Sequence, residues 1–333
     1  MKSWFIAIAL LIAGCSVNTS IPTDFPTPPP PAPAAAAPKI EFKHDSELET
    51  QFSQIATGAR GRVGVAAVVL ETGEAAMLNA DEHFPMLSVY KLPIAMAVME
   101  RIRMGELDFQ EKVAVTRQDF VRQGQASALR DKNPNGGEFT IRELIRLSLV
   151  ESDGTASDVL LRLVGGPAGV QEYLNQIGVA DMKIANSGKE ISLDWETQYR
   201  NWTTPIAAVE LLRSMRDDWN APPNLPDEKE HLLHRFMRES TTGPRRLKGL
   251  LPEGTVIAHK TGTGGTRGGV NSATNDIGII WLPNGNRLAI AVFISDSSAD
   301  ERIREMVIAR VAKAAWERFG RTSNSRGAGL SKE

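Results

Sequence analysis

The 333-residue chain has one cysteine and three tyrosines, and it favours neither sign of charge: 38 basic residues against 40 acidic ones leave −2. Each shortage excludes something. A lone cysteine cannot close an internal disulfide or build a thiolate metal cluster, so the folded body must rest on its apolar core. Balanced charge without a basic stripe argues against nucleic acid as a partner. The histidines do not make a zinc site. His231 and His234 share a helical face, no third ligand follows at suitable spacing, and His259 adjoins Lys260. Beyond the N-terminal segment, no apolar run reaches the length of a membrane span. No metal or cofactor is called for.

What is present begins with MKSWFIAIALLIAGC, in which Lys2 precedes an apolar stretch too short for a stable span and small residues lead to Cys15. This reads as a signal peptide over residues 1–14. Ile12-Ala13-Gly14-Cys15 resembles a bacterial lipobox, so Cys15 is expected to carry lipid and to become the mature N-terminus. Ser16 after the cysteine points to periplasmic anchoring at the outer membrane. Residues 15–39, rich in proline and alanine, read as a semi-rigid tether. The catalytic body is expected over 40–322, as a monomer, with 323–333 a tail.

Strand patterns occupy both ends of that body and helical patterns its middle. GRVGVAAVVLETGEAAMLNAD reads as a hairpin turning at Gly73. NDIGIIWLPNGNRLAIAVFISD reads as two strands joined through Asn284-Gly285. Between them, Thr140 and Glu143 form a capping-box pattern, and Thr204-Pro205 opens a helix. An amphipathic helix, SADERIREMVIARVAKAAWERF, closes the body. The fold class follows: α/β, an antiparallel sheet built from both chain ends and flanked by helices, with an inserted all-helical subdomain. The α/β part is expected over 40–86 and 243–322, and the helical part over 87–242.

Three short motifs carry chemistry. Ser88-Val-Tyr-Lys91 puts a hydroxyl and an ammonium on one helical face, at a helix start whose dipole favours negative charge. Chance alone supplies roughly one such Ser-x-x-Lys in a chain of this length. Ser152-Asp153-Gly154 lies at a later helix boundary, and Lys260-Thr261-Gly262-Thr263 on a strand. A lysine beside two hydroxyls suits a carboxylate, and the glycine lets a ligand backbone approach.

Together and in this order, SVYK, SDG and KTGT resemble the class A serine β-lactamases of the penicillin-recognising family, over nearly the whole body. TQYRNWTTP and NDIGIIWLPNG are similar to that family's extended-loop branch. The resemblance implies that Ser88 attacks a β-lactam carbonyl and that Lys91 accepts or relays its proton. It implies an oxyanion hole from the N–H groups of Ser88 and Thr263, and proton delivery through Ser152. Lys260, Thr261 and Thr263 would hold the substrate carboxylate, helped by Arg246, with Arg245 and Arg267 as alternatives. Asp153 is expected to serve backbone amides, and Tyr90 to pack in the core.

Two positions depart from the family pattern. Gly154 stands where the family has an asparagine that binds the substrate amide. Gly188 stands where spacing from both sides places the glutamate that activates the deacylating water. Glu190, two residues on, is the expected substitute. If it fails, the alternative functions are a non-turnover penicillin-binding lipoprotein that stays acylated at Ser88, or a D,D-peptidase.

Overall fold

Small and β-branched residues at nearly every position of RVGVAAVV suit a strand covered on both faces. The computed structural model describes residues 41–215 and 232–321, and there Arg62–Val69 is such a strand. Cys15, the tether, His231 and the tail lie outside the described residues. The main sheet is assembled from β1 (Lys43–His44), β2 (Arg62–Val69), β3 (Glu74–Leu78), β4 (Ile257–Thr263), β5 (Thr266–Arg267), β6 (Val270–Trp281) and β7 (Arg287–Ser297). Its order is β1-β3-β2-β7-β6, with β4 and β5 both paired to β6. Among the described residues of this sheet, only the β1–β3 pair is parallel. The junction of the two chain ends is the pairing of β2 with β7, where Val65 faces Val292.

Alternation along β2 divides two cores. Val65, Ala67 and Val69 join a layer completed by α1 (Ser46–Ala56) and the C-terminal helix Glu301–Phe319, through Leu48, Phe52, Val307 and Val311. Ala66 and Val68 face the other way, onto a larger core that continues into the helical part. At its centre runs α2 (Lys91–Arg103), buried on nearly every side, as its lack of a polar face requires. Around it lie α3 (Ile141–Val150), opened by the capping box of Thr140 and Glu143, and α4 (Gly154–Leu163), capped by Asp153.

One boundary differs from expectation. Helix α5 (Pro205–Ser214) starts at the Thr204 cap but packs on β2 and β7, so part of the stretch 87–242 belongs to the sheet layer. Gly64 makes the contact possible, since a Cβ there would lie 2.8 Å from the Pro205 ring and 2.3 Å from Phe84.

Candidate active site

Ser88 is delivered by a strained turn. Leu87, just before it, is buried with φ at +46°, and a single 3₁₀ turn, Leu87–Tyr90, runs into α2. The strain is held by β6: Asn275 Nδ2 donates to the carbonyls of Pro85 at 2.7 Å and Met86 at 3.2 Å. β4 passes close to the same turn, where a Cβ on Gly262 would fall 2.3 Å from the Met86 carbonyl oxygen. Ser88 therefore opens, at a helix start, into a cavity of about 720 Å³ lined also by Lys91, Ser152, Thr261 and Thr263.

The three motifs converge on one hydroxyl. Lys91, 4% exposed, donates from Nζ to the Ser152 carbonyl and to its Oγ at 3.2 Å. Lys260 Nζ donates to the same Oγ at 2.9 Å. Ser152 sits at φ +56°, immediately before the Asp153 cap. Asp153 is the structural partner that was expected, accepting from Ala156 N at 2.9 Å and Leu129 N at 2.8 Å. Burial lowers the Lys91 ammonium to about 8, although the carboxylates of Asp153 and Asp158 resist the shift. Burial, and then the neighbouring Lys91, push Lys260 well below its ordinary value.

The strand wall is backed by buried ionic groups. Thr261 Oγ1 meets Thr242 Oγ1 at 2.7 Å, and Thr263, at the end of β4, is exposed to the cavity. Arg246 lies behind Thr263 and does not project freely. Its guanidinium reaches Thr263 Oγ1 at 2.8 Å, the carbonyls of Gly262 and Asn275 at 3.1 and 3.0 Å, and Glu305 at 3.3 Å. Arg245 pairs with Glu305 on the outside. Behind Lys260, His259 Nδ1 is 3.0 Å from both carboxylate oxygens of Asp276.

The opposite wall is the loop 186–201. Asn201 closes its base, accepting from Ala185 N and Asn186 N at 2.8 and 2.9 Å and donating to the Asn186 carbonyl at 2.9 Å. Gly188 lines the cavity, as its spacing implied. Glu190 does not. It is exposed, and its Oε2 accepts from Ser187 N at 2.8 Å as the capping box of the short helix Gly188–Ile191. The expectation that Glu190 reaches the site is therefore corrected: its carboxylate is spent on the helix end.

Sequence reasoning missed Asp158. Its oxygens accept from Gly188 N at 2.6 Å and Lys189 N at 2.9 Å, which locks the loop to α4. Burial raises its pKa while these bonds and Lys91 oppose the rise. Tyr90 is core-packed as expected, at 2% exposure, yet it also lines the cavity beside Gly188. A Cβ at 188 would lie 2.9 Å from both Tyr90 Oη and Asp158 Oδ1. Burial and then Asp158 push the Tyr90 phenol well above its usual value. Trp195 and Arg267 form the rim, the guanidinium 4.8 Å above the indole ring. At Gly154, a Cβ would come within 3.1 Å of Val121, so a larger residue needs that neighbour to yield.

Known proteins are similar to this chain over most of its length. Residues 47–319 match the model of the β-lactamase enzyme family. β-Lactamase VEB-1 of Pseudomonas aeruginosa is 38% identical, over 82% of this chain and 90% of that protein. The extended-spectrum β-lactamase PER-1 of Pseudomonas aeruginosa is 39% identical, over 81% of this chain and 86% of that protein. Among solved structures, the TLA-3 extended-spectrum β-lactamase superposes with a TM-score of 0.78 at 37% identity, covering 83% of this chain and 99% of that one. A β-lactamase from Chitinophaga pinensis gives 0.77 at 38%, covering 82% and 99%.

Proposed function

The chain belongs to the β-lactamase enzyme family, as a class A serine enzyme that hydrolyses β-lactams, and on that premise we propose how its residues divide the reaction. Ser88 Oγ attacks the lactam carbonyl, and the helix start beneath it favours the negative charge that develops. Lys91 takes the Ser88 proton. Ser152, bridged by both lysines, carries a proton to the departing lactam nitrogen. Lys260, Thr261 and Thr263 hold the substrate carboxylate, and Arg246 acts through the Thr263 hydroxyl that it fixes. One observation carries this reading: the Nζ atoms of Lys91 and Lys260 meet at Ser152 Oγ inside the cavity into which Ser88 opens.

The test is turnover of a chromogenic cephalosporin by the full chain, with intact mass followed in parallel. Ser88→Ala is expected to lower kcat/KM by at least about 10³-fold and to abolish the covalent adduct. Undiminished turnover by that variant would move the nucleophile elsewhere. The similarity to named β-lactamases favours hydrolysis over a non-turnover binder or a D,D-peptidase.

The location is proposed on the sequence alone. Cys15 carries lipid after removal of residues 1–14, and residues 15–39 tether a monomeric body in the periplasm, at the outer membrane. Labelled fatty acid incorporated by the full chain and lost in Cys15→Ser would support this; a soluble product cleaved at another site would refute it.

A further inference from the structure

Hydrolysis needs a second proton acceptor event, when water attacks the acyl-enzyme, and the loop position that supplies a glutamate in the resembled family is Gly188 here. Among the described residues, the carboxylates near the cavity are engaged. Glu190 caps the short helix Gly188–Ile191 and faces outward. Asp158 gives one oxygen to Gly188 N and the other to Lys189 N. Asp194 accepts from Thr197 N at 2.7 Å and its Oγ1 at 2.6 Å, which hold it below the usual carboxylate range. Asp153 is buried among amides, and Glu151 pairs with Arg146 at 2.8 Å. The donors from Thr197 weaken Asp194 as a base, while Asp158, whose pKa burial raises, has both oxygens taken up by the loop backbone. The place a side chain at 188 would enter is meanwhile flanked by Tyr90 Oη and Asp158 Oδ1.

We propose that Lys91, as the free amine, is the base of both halves of the reaction, with the Tyr90 hydroxyl as a positioning residue for the deacylating water. The proposal rests on the acylation reading given above. In the first half, the Ser88 Oγ–carbon bond forms and the lactam carbon–nitrogen bond breaks. The Ser88 proton passes to Lys91 Nζ and on through Ser152 Oγ to the lactam nitrogen, so Lys91 ends neutral. In the second half, the water oxygen bonds to the acyl carbon and its proton goes to Lys91 Nζ. The carbon–Oγ bond then breaks, Oγ recovers that proton, and Lys91 is neutral again. No external acid, base or metal enters the balance.

The charged and titratable groups facing Lys91 set its range. Asp153, the cap of α4, and Asp158 within it favour the ammonium, Lys260 of β4 is itself held well below its ordinary value, and Tyr90 on the same turn is the neutral phenol. Burial dominates and leaves a midpoint of about 8. Such a base is active as the amine, so deacylation accelerates as pH rises to that midpoint and then levels.

The experiment follows the acyl-enzyme and not overall turnover. The full chain is acylated with a cephalosporin, freed of excess drug in acid, and jumped to a series of pH values while the Ser88 adduct is followed by intact mass. Adduct loss is expected to speed up about tenfold per pH unit and to level near 8. Asp158→Asn removes a charge that favours the ammonium, and is expected to move the midpoint down. Tyr90→Phe is expected to slow loss at the plateau with the midpoint in place. Glu190→Gln and Glu151→Gln are expected to change neither quantity. A rate already level below about pH 6, or an acid limb abolished by either glutamine variant, would assign a carboxylate and overturn the proposal. So would an adduct that persists at every pH. Absence of any Ser88 adduct would refute the acylation reading itself, and the proposal with it.

Discussion

The two walls of the cavity are built on opposite plans. On the side of β4 and β6, the wall is braced from behind: Thr263 by Arg246, Arg246 by Glu305, and the turn carrying Ser88 by Asn275. Along the loop 186–201, the supporting bonds run through backbone atoms, and the side chains that could do acid–base work are turned to holding the loop together. The strand wall is thus preorganised for charge, and the loop wall for shape. The first forms the acyl bond with fixed machinery. Under the proposal above, the hydrolytic step falls to Lys91 at the start of α2, which belongs to neither wall.

That contrast can be broken most forcefully on the strand side. Arg246→Ala leaves Glu305 buried beside Arg245 alone and frees the Gly262 and Asn275 carbonyls. It is expected to lower stability by about 3–5 kcal/mol, read as a lower denaturation midpoint in urea, and to raise KM for cephalosporins. A variant as stable as the parent would mean that the bracing is ornamental. On the loop side, Gly188→Glu puts a Cβ 2.9 Å from Tyr90 Oη and Asp158 Oδ1. Expected is a loss of about 1–3 kcal/mol, seen in Tm, without faster deacylation. Faster deacylation would show that the wall accommodates a carboxylate. The smallest effect is reserved for Glu190→Gln. Glutamine can keep the capping bond, so turnover should stay within about twofold and stability within about 1 kcal/mol. A tenfold loss of turnover would return Glu190 to the site.

The unequal legibility of the two walls has a physical origin. Ser88, Lys91, Ser152 and Lys260 were readable because their chemistry depends on residue type at fixed local spacing, and local geometry then delivers them. The sheet from both chain ends was readable from the Val-rich runs and the Asn284-Gly285 turn. Glu190 misled because proximity in sequence was taken for proximity to the nucleophile. Ser187-Gly188-Lys189-Glu190 is itself a capping-box pattern, the same one that Thr140 and Glu143 make at α3, and it announced the outward-facing role. Asp158 and the cavity face of Tyr90 were not readable, since each gains its meaning from a loop folded back from a distant stretch of chain. Helix α5 was misplaced for a related reason: periodicity announces a helix but not the layer it covers.

The pairing of β2 with β7 carries a kinetic consequence. Val65 cannot find Val292 until almost the entire body is free to fold, and closing so long a loop is entropically slow. A nascent chain that already holds Ser88 and Lys91 still lacks β4, β6 and the Asn275 clamp on the turn before the serine. The turn that presents the nucleophile is therefore unsupported until those strands are in place. Reactivity toward a β-lactam is expected to arrive late and all at once, with the last strands, and serves as a direct clock for completion of the fold.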